Sequence, residues 1–417
     1  MHVIFCLNIT NYITFLPPRI IYNRIYSLFS LFSLFKMTTK KILMITRNLP
    51  PLIGGMERLN WHIADELSQQ NEVLLLSHVE AKKQAPTQCK FYGVALNPLP
   101  IFLIFAFFKA FFICLSQKPD VIFAGSGLTA PIVVFWAKIF RKKSMVYIHG
   151  LDIATNHPIY NLIWIPLIRN ANSVIANSSP THDICIRKGI PGRKLSIIHP
   201  GVTYPPKPRN ELLITSIKEQ YDIKNKKILI SVGRLTQRKG MKEFVDRCLL
   251  NITKEEPQTC LVIIGDTPTN SLNKNLQSKK EIIKTAKRLG IENHILFIGN
   301  ITNDEILSSW YYLADIHIFP VKSIPEDPEG FGMVAIEAAT HGTPTVAFKT
   351  GGIIDAINNE KTGFLIKNDD YDHFTKVTIE ILHKKTNLNV DECKKFSKEF
   401  SWPILNKKFQ KNIEYIK

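Results

Sequence analysis

The sequence has no CxxC pair, and its seven cysteines (Cys6, Cys89, Cys114, Cys185, Cys248, Cys260 and Cys393) are widely dispersed. An odd, scattered set of thiols excludes a disulfide framework and a zinc module, and predicts reduced cysteines in a cytoplasmic protein. Acidic residues are few beside basic ones: 35 Asp and Glu against 53 Lys and Arg, a net charge of +18. The excess predicts an anionic partner: nucleic acid, a phosphorylated ligand or an acidic membrane surface. Neither an RNP-like aromatic strand nor a basic recognition helix accompanies it, so no nucleic acid is expected. No apolar run reaches the roughly 18–20 residues of a membrane-spanning helix. The apolar stretch 101–115 is fifteen residues long with Lys109 as its one charge. It predicts a buried helix, with a membrane-dipping surface as the alternative.

What is present is ordinary globular composition, 45% apolar and 21% charged, which excludes a largely disordered chain. The 417 residues exceed what one core usually holds, so two domains are expected. Residues 1–36 differ from the rest, with three basic and no acidic residues. Pro17-Pro18 and Arg19 interrupt their apolar stretch, which fits a secretory signal poorly. They read as an extension ahead of a normal start at Met37, with a membrane-surface anchor as the sharper alternative.

From residue 37 onward, short β-branched runs alternate with helix-length segments. Strands are predicted at 41–46, 72–77, 120–124, 144–149, 173–176 and 195–199. Others are predicted at 227–232, 259–265, 294–298, 315–319 and 343–347. Continuous apolar strands separated by helices indicate parallel sheets covered on both faces. Tyr204-Pro205-Pro206-Lys207-Pro208 is a stiff break suited to a linker. The expected fold class is therefore α/β, with two doubly wound Rossmann-like domains, 37–204 and 209–417, joined by a linker at 205–208. The last helix could pack back on the first domain. Ligands of such sheets bind beyond the carboxyl ends of the strands, so two facing crevices make one interdomain cleft. Residues 37–205 carry 18 Lys/Arg and 8 Asp/Glu, so the first domain holds most of the basic surface.

Two stretches carry chemistry. Glu329-Gly330-Phe331-Gly332-Met333-Val334-Ala335-Ile336-Glu337 follows a predicted strand and opens a helix from 333. Its glycines let backbone approach a ligand closely, and the first N–H groups of the helix form a phosphate seat. Glu337 lies one turn inside, placed to accept from ribose hydroxyls, while Glu329 faces what lies beyond the phosphates. The second stretch, Gly233-Arg234-Leu235-Thr236-Gln237-Arg238-Lys239-Gly240, places Arg234 at a strand end and Lys239 before a helix. A guanidinium fork and an ammonium there would stabilise a departing nucleoside diphosphate.

GRLxxxKG followed by EGFGxxxxE resembles the retaining family 4 glycosyltransferases of the GT-B fold (glycosyl transferases group 1), over nearly all of 37–417. First-domain pieces join the resemblance: Gly54-Gly55-Met56-Glu57, His149-Gly150-Leu151-Asp152, Ala176-Asn177-Ser178 and Pro200-Gly201-Val202. It implies that Gly54 and Gly55 let backbone meet the donor phosphate and that His149 faces the transferred sugar. It implies that Glu329 holds sugar hydroxyls, Glu337 binds ribose, and Arg234 and Lys239 hold the diphosphate, with Gly332, Met333 and Val334 at the donor. Where the family often has Gly-Asp-Gly-Pro, this chain has Gly265-Asp266-Thr267-Pro268, which alters the fine shape of the donor pocket. Chemistry alone leaves His149 open between a satisfied strand-end residue and a functional one. Asp152 is expected to orient the imidazole or to contact the acceptor.

Two patterns are decoys. Gly125-Ser126-Gly127-Leu128-Thr129-Ala130 is a literal GxGxxA, but it follows neither the first strand nor precedes one ending in an acid. Asp370-Tyr371-Asp372 is a literal DxD, better explained as a helix N-cap. No metal or other cofactor is expected to be required, since the cations and a helix end neutralise the diphosphate.

The expected function is transfer of a sugar from a nucleotide diphosphate sugar to a glycan or lipid-linked hydroxyl, with retention. A nucleotide-sugar epimerase of the same fold and a non-enzymatic basic binding protein stay open as alternatives. The +10 balance of residues 37–205 predicts peripheral docking on an anionic membrane surface, at its cytoplasmic face.

Overall fold

The structure, a computed structural model, describes residues 39–267, 276–324 and 327–416. The extension 1–36, Pro268, Pro325 and Glu326 lie outside the described residues. Seven parallel strands form the first sheet: β1 (Lys41–Ile45), β2 (Glu72–His78), β3 (Lys90–Val94), β4 (Val121–Ala124), β5 (Lys143–Ile148), β6 (Ser173–Ala176) and β7 (Leu195–Ile197). Their order is β3-β2-β1-β4-β5-β6-β7. Six more form the second: β8 (Lys227–Val232), β9 (Thr259–Ile264), β10 (Ile295–Gly299), β11 (Ile316–Phe319), β12 (Thr345–Phe348) and β13 (Gly363–Ile366). Their order is β10-β9-β8-β11-β12-β13. Each sheet grows outward from its first strand in one direction and then in the other. The reversal falls between β1 and β4 and between β8 and β11, and a crevice opens at the strand ends there.

Alternation along each strand serves two cores. Leu43, Ile45, Leu74 and Leu76 pack on one face of the first sheet, and Ile42, Met44, Val73 and Leu75 on the other. The second sheet divides Leu229, Leu261 and Ile263 from Ile228, Ile230 and Val262 in the same way. Each such fully buried side chain contributes roughly 1.5–3 kcal/mol. Coverage on both faces is what makes these strands continuously apolar.

Eleven of the strands were expected; β3 and β13 were not. Both lie at a sheet edge. β3 keeps four of its five residues at least partly exposed, and β13 spans only Gly363–Ile366, so neither carries a buried apolar run.

Helix α1 (Gly55–Ser68) follows β1. Helix α2 (Leu99–Gln117) is longer than expected, at 19 residues. Pro100 does not end it, because a proline in the first turn lacks only an N–H that no helix bond would use. Lys118, left-handed at φ 49°, closes the helix before Pro119. By length and composition α2 could cross a membrane. Instead, Phe102, Ala106, Ala110 and Ile113 pack it onto the first sheet. The expectation of a buried helix is thus corrected: α2 is buried on one side and apolar on both. Helix α3 (Ala130–Ile139) lies beside it.

Residues 203–210, between the sheets, carry no helix or strand. In the second sheet, α4 (Met333–Thr340) follows β11. The final helix, α5 (Trp402–Tyr415), packs on the first sheet, where Leu405 and Phe409 join the cluster of Ile42, Phe123 and Tyr147. Trp402 stacks on His62 of α1 at 4.0 Å. Beside this crossing, the Val202 N–H donates to the Phe400 carbonyl at 2.7 Å.

Candidate active site

The carboxyl end of β8 runs into Gly233-Arg234 and a tight helical turn, Gln237–Lys239. That turn aims Arg238 and Lys239 at Glu329, in the loop after β11. Lys239 Nζ donates to Glu329 Oε2 at 2.8 Å, and Arg238 bonds the same oxygen. Arg238 also pairs with Asp327 at 3.3 Å. Burial alone would raise the Glu329 carboxyl, but Arg238 and Lys239 hold it at about 2, against an ordinary 4.5. Burial lowers the Lys239 ammonium, with Glu329 opposing and Arg238 and Arg234 assisting. Its Nζ also sits 4.7 Å from the centre of the Phe319 ring. The sequence reading singled out Lys239 and Glu329 without pairing them, and it passed over Arg238, which falls at a variable position of the motif.

Helix α4 starts from Gly332, left-handed at φ 91°, and no side chain of the N-cap residue caps its first N–H groups. Glu337 lies on the helix a turn later, 8% exposed. Its Oε1 pairs with Arg58 of α1, across the cleft, and its Oε2 accepts from Tyr311 Oη at 3.2 Å. Arg58 and Tyr311 were not anticipated. No local pattern could have shown them, because Arg58 lies 279 residues from its partner.

On the facing side, Gly54 and Gly55 open α1 at the end of β1. A side-chain carbon at Gly54 would lie 3.6 Å from Arg234 Cζ, and one at Gly55 would lie 3.9 Å from Met333 Sδ. The two glycines thus face the Arg234 and α4 side of the second domain. His149 follows β5 and is 6% exposed. Its Nε2 lies 2.7 Å from the Gly125 carbonyl. A carbonyl only accepts, so the Nε2–H of His149 donates to it.

Asp152 does not touch the imidazole, a correction to one of its two expected roles. Its Oδ1 accepts from the backbone N–H of His149 (2.8 Å) and Gly150 (3.0 Å), and its Oδ2 from that of Gly127 (2.8 Å). It fixes the turn that carries His149 rather than the ring itself.

Gly330 brings the halves together. A side chain there would overlap the His149 carbonyl and come within 2.7 Å of Asn177 Nδ2. Close by, Asp355 accepts from the Ser179 N–H at 2.5 Å and from its hydroxyl at 2.6 Å. His199 stacks on Phe331 at 5.3 Å. These contacts hold the strand ends of the first sheet against the loop that carries Glu329.

The decoys resolve as packing. A side-chain carbon at Gly125 would meet Asn60 at 2.6 Å and Thr46 at 2.8 Å, and one at Gly127 would meet Tyr160 at 2.8 Å. Both glycines approach protein closely, which accounts for their small size through packing. Asp370 Oδ1 accepts from the His373 N–H at 3.0 Å, as the N-cap of the helix Tyr371–Leu382. Among the described residues, no three His, Cys, Asp or Glu side chains cluster as metal ligands.

Comparison with known proteins agrees with this geometry. The Glycosyltransferase Family 4 model matches residues 53–204, and the model of glycosyl transferases group 1 matches residues 214–400. A GDP-mannose-dependent alpha-(1-6)-phosphatidylinositol monomannoside mannosyltransferase of Mycolicibacterium smegmatis is 23% identical over 354 residues, which cover 82% of this chain and 89% of that one. The crystal structure of Anabaena HepE in complex with UDP-glucose aligns with a TM-score of 0.72 at 20% identity, covering 90% of this chain and 99% of that one. A glycosyltransferase from Rickettsia africae aligns with a TM-score of 0.70 at 20% identity, covering 91% of this chain and all of that one. Two doubly wound sheets, their facing strand ends and two family models spanning them in succession make this chain a GT-B glycosyltransferase of family 4, in glycosyl transferases group 1.

Proposed function

We propose that the protein transfers a sugar from a nucleotide diphosphate sugar to a hydroxyl of a glycan or lipid-linked glycan, with retention at the anomeric carbon. The observation that carries the reading is the buried Glu329–Lys239–Arg238 cluster. It stands at the carboxyl ends of β8 and β11, and its chain neighbours Arg234 and Gly330 approach Gly54 and His149. The donor class has support from relatives whose names specify GDP-mannose and from HepE complexes with UDP-glucose. The phosphatidylinositol monomannoside in the mycobacterial relatives' names favours a lipid-linked acceptor.

In this reading, Arg234, Lys239 and the first N–H groups of α4 neutralise the diphosphate as charge develops on it. Glu337 accepts from the ribose hydroxyls. Glu329 accepts from hydroxyls of the sugar, and His149 Nδ1 stands on the opposite side of it. Retention by double displacement needs a free carboxylate beside the anomeric carbon. The first-domain acids near the cleft are engaged: Glu57 accepts from Asn48 Nδ2 at 2.8 Å, and Asp152 holds three backbone N–H groups. This supports substitution on the face from which the phosphate departs. The acceptor oxygen bonds to the anomeric carbon as the bond to phosphate breaks, and the departing phosphate oxygen takes the acceptor proton.

The test is incubation with UDP-, GDP- and ADP-sugars, with and without acceptors, and assay of free nucleoside diphosphate. Transfer predicts release that rises with acceptor and a product of unchanged anomeric configuration by NMR. Conversion of the donor without acceptor would assign an epimerase, and no release with any donor would leave a binding protein. Turnover abolished by a chelator would overturn the metal-free neutralisation of the diphosphate.

A further inference from the structure

We propose that the protein docks on an anionic lipid bilayer through the helical layer that covers one face of its first sheet. Along α2, Ile101, Ile104, Phe105, Phe108, Phe112 and Leu115 follow helical spacing and point away from the core; five of the six are more than half exposed. The stripe continues onto α3 through Phe135 and Ile139, which are 43% and 58% exposed. An aromatic seam binds the two helices. Phe107 packs at 4.7 Å from Trp136 and 5.2 Å from Phe135, and Trp136 Nε1 donates to the Phe107 carbonyl at 2.9 Å. Beyond α3, the turn Tyr160–Trp164 exposes Leu162 and Ile163. Exposed apolar side chains scattered singly need no account, but a continuous band across three packed elements marks an interaction surface.

Charge selects the occupant. Residues 99–182 contain seven Lys and Arg and only two acids, Asp120 and Asp152. Asp120 accepts from the Lys41 N–H at 2.9 Å, and Asp152 is held by the turn around His149. Lys109 is exposed within the stripe, Lys118 at its end, and Lys138, Arg141 and Lys143 at the end of α3. A second copy of this face would bring like charges together, and a neutral apolar partner would leave the lysines unmatched. Anionic headgroups above an acyl interior satisfy both features. Because the other side of α2 carries Phe102, Ala106 and Ala110 into the core, the helix lies in the plane of the interface instead of crossing it.

Docking needs neither donor nor acceptor, so its test stands apart from that of transfer. The full chain is sedimented with vesicles of phosphatidylcholine alone, or mixed with phosphatidylglycerol, at low and high salt. Binding is expected with the anionic vesicles and should fade as salt rises. Phe108→Ser/Phe112→Ser should lower the partition coefficient by at least about tenfold. Lys138→Glu/Arg141→Glu/Lys143→Glu should remove the dependence on phosphatidylglycerol. Both variants replace exposed side chains remote from the cleft and should keep the parent's nucleotide affinity. Equal recovery in the supernatant under all conditions would overturn the proposal, as would parental binding by both variants. A dimer in velocity sedimentation that Phe108→Ser/Phe112→Ser converts to monomer, without vesicle binding, would assign the face to a second copy and also overturn it.

Discussion

Replacing Glu329 by Gln tests the electrostatics of the cleft most directly. The carboxylate is 13% exposed and meets Lys239 Nζ at 2.8 Å, with Arg238 on the same oxygen. These cations lower its pKa from an ordinary 4.5 to about 2, which corresponds to about 3 kcal/mol of stabilisation at pH 7. The sign follows from the direction of the shift. A carboxyl with a folded pKa below its unfolded one stabilises the fold above the unfolded value. It loses that contribution as pH falls toward the folded value. With values of 4.5 and about 2, roughly a quarter of the contribution goes by pH 4 and more than half by pH 3. Glutamine keeps the size and one acceptor oxygen but leaves two buried cations facing each other, a loss of the order of 3–5 kcal/mol in comparable pairs. Urea unfolding at pH 7, 4 and 3 should therefore show a gap of about 3 kcal/mol between parent and variant that narrows as pH drops. Equal stability at pH 7, or a gap constant from pH 7 to pH 3, would refute the reasoning.

Lys239→Ala and Arg234→Ala should each cut transfer by roughly 100- to 1,000-fold while leaving the far-UV circular dichroism intact, as loss of a partner for developing charge requires. Near-normal turnover in either would remove that residue from the diphosphate site. Glu337→Ala should weaken calorimetric binding of the free nucleoside diphosphate, whereas Glu329→Ala should spare it and damage transfer. Equal nucleotide affinity in both variants would reject the ribose role of Glu337. Phe409→Ala, which empties the contact of α5 with Phe123 and Tyr147, should cost about 3–5 kcal/mol in urea unfolding; a change under 1 kcal/mol would show that α5 is not part of the first core.

Most of the fold is legible because parallel strands covered on both faces must be continuously apolar, and nearly all the central ones here are. The missed strands β3 and β13 lack such a run, although the edge strands β7 and β10, no better buried, were expected from their sequence. β3 lies at an edge with Lys90 exposed and Phe91, Tyr92 and Gly93 half-buried, and β13 begins with a glycine. Helix α2 shows the opposite limit. Because both of its sides are apolar, periodicity cannot tell which one meets the core. Only the packing of Phe102 and Ala106 against the sheet, with Phe105 and Phe108 left outside, decides it. Its boundary was hidden too, since Pro100 ends a helix from within but is neutral in the first turn.

The site is legible by residue type and illegible by partner. Strand-to-helix loops with glycines, cations and acids name Arg234, Lys239, Glu329 and Glu337, because phosphate and sugar hydroxyls require those groups. What each side chain bonds to within the protein depends on chain segments far apart. Lys239 lies 90 residues from Glu329, and Arg58 lies 279 residues from Glu337. The partners have a physical purpose of their own. A cleft that buries Glu329 and Glu337 must neutralise them, since an uncompensated buried carboxylate would cost several kcal/mol. Arg238, Lys239 and Arg58 provide that neutralisation, and Tyr311 adds a hydrogen bond to Glu337. In the proposed reaction, a diphosphate beside Lys239 competes with Glu329 for the same ammonium. Ribose hydroxyls compete with Arg58 for Glu337. Donor binding is then an exchange of charged partners rather than an addition to an uncharged surface. Arg238, bound to both Glu329 and Asp327, can hold Glu329 in register while Lys239 turns to phosphate. That assignment explains why a cation at a variable motif position should matter, and why Glu329 can be released by one cation without leaving the cleft.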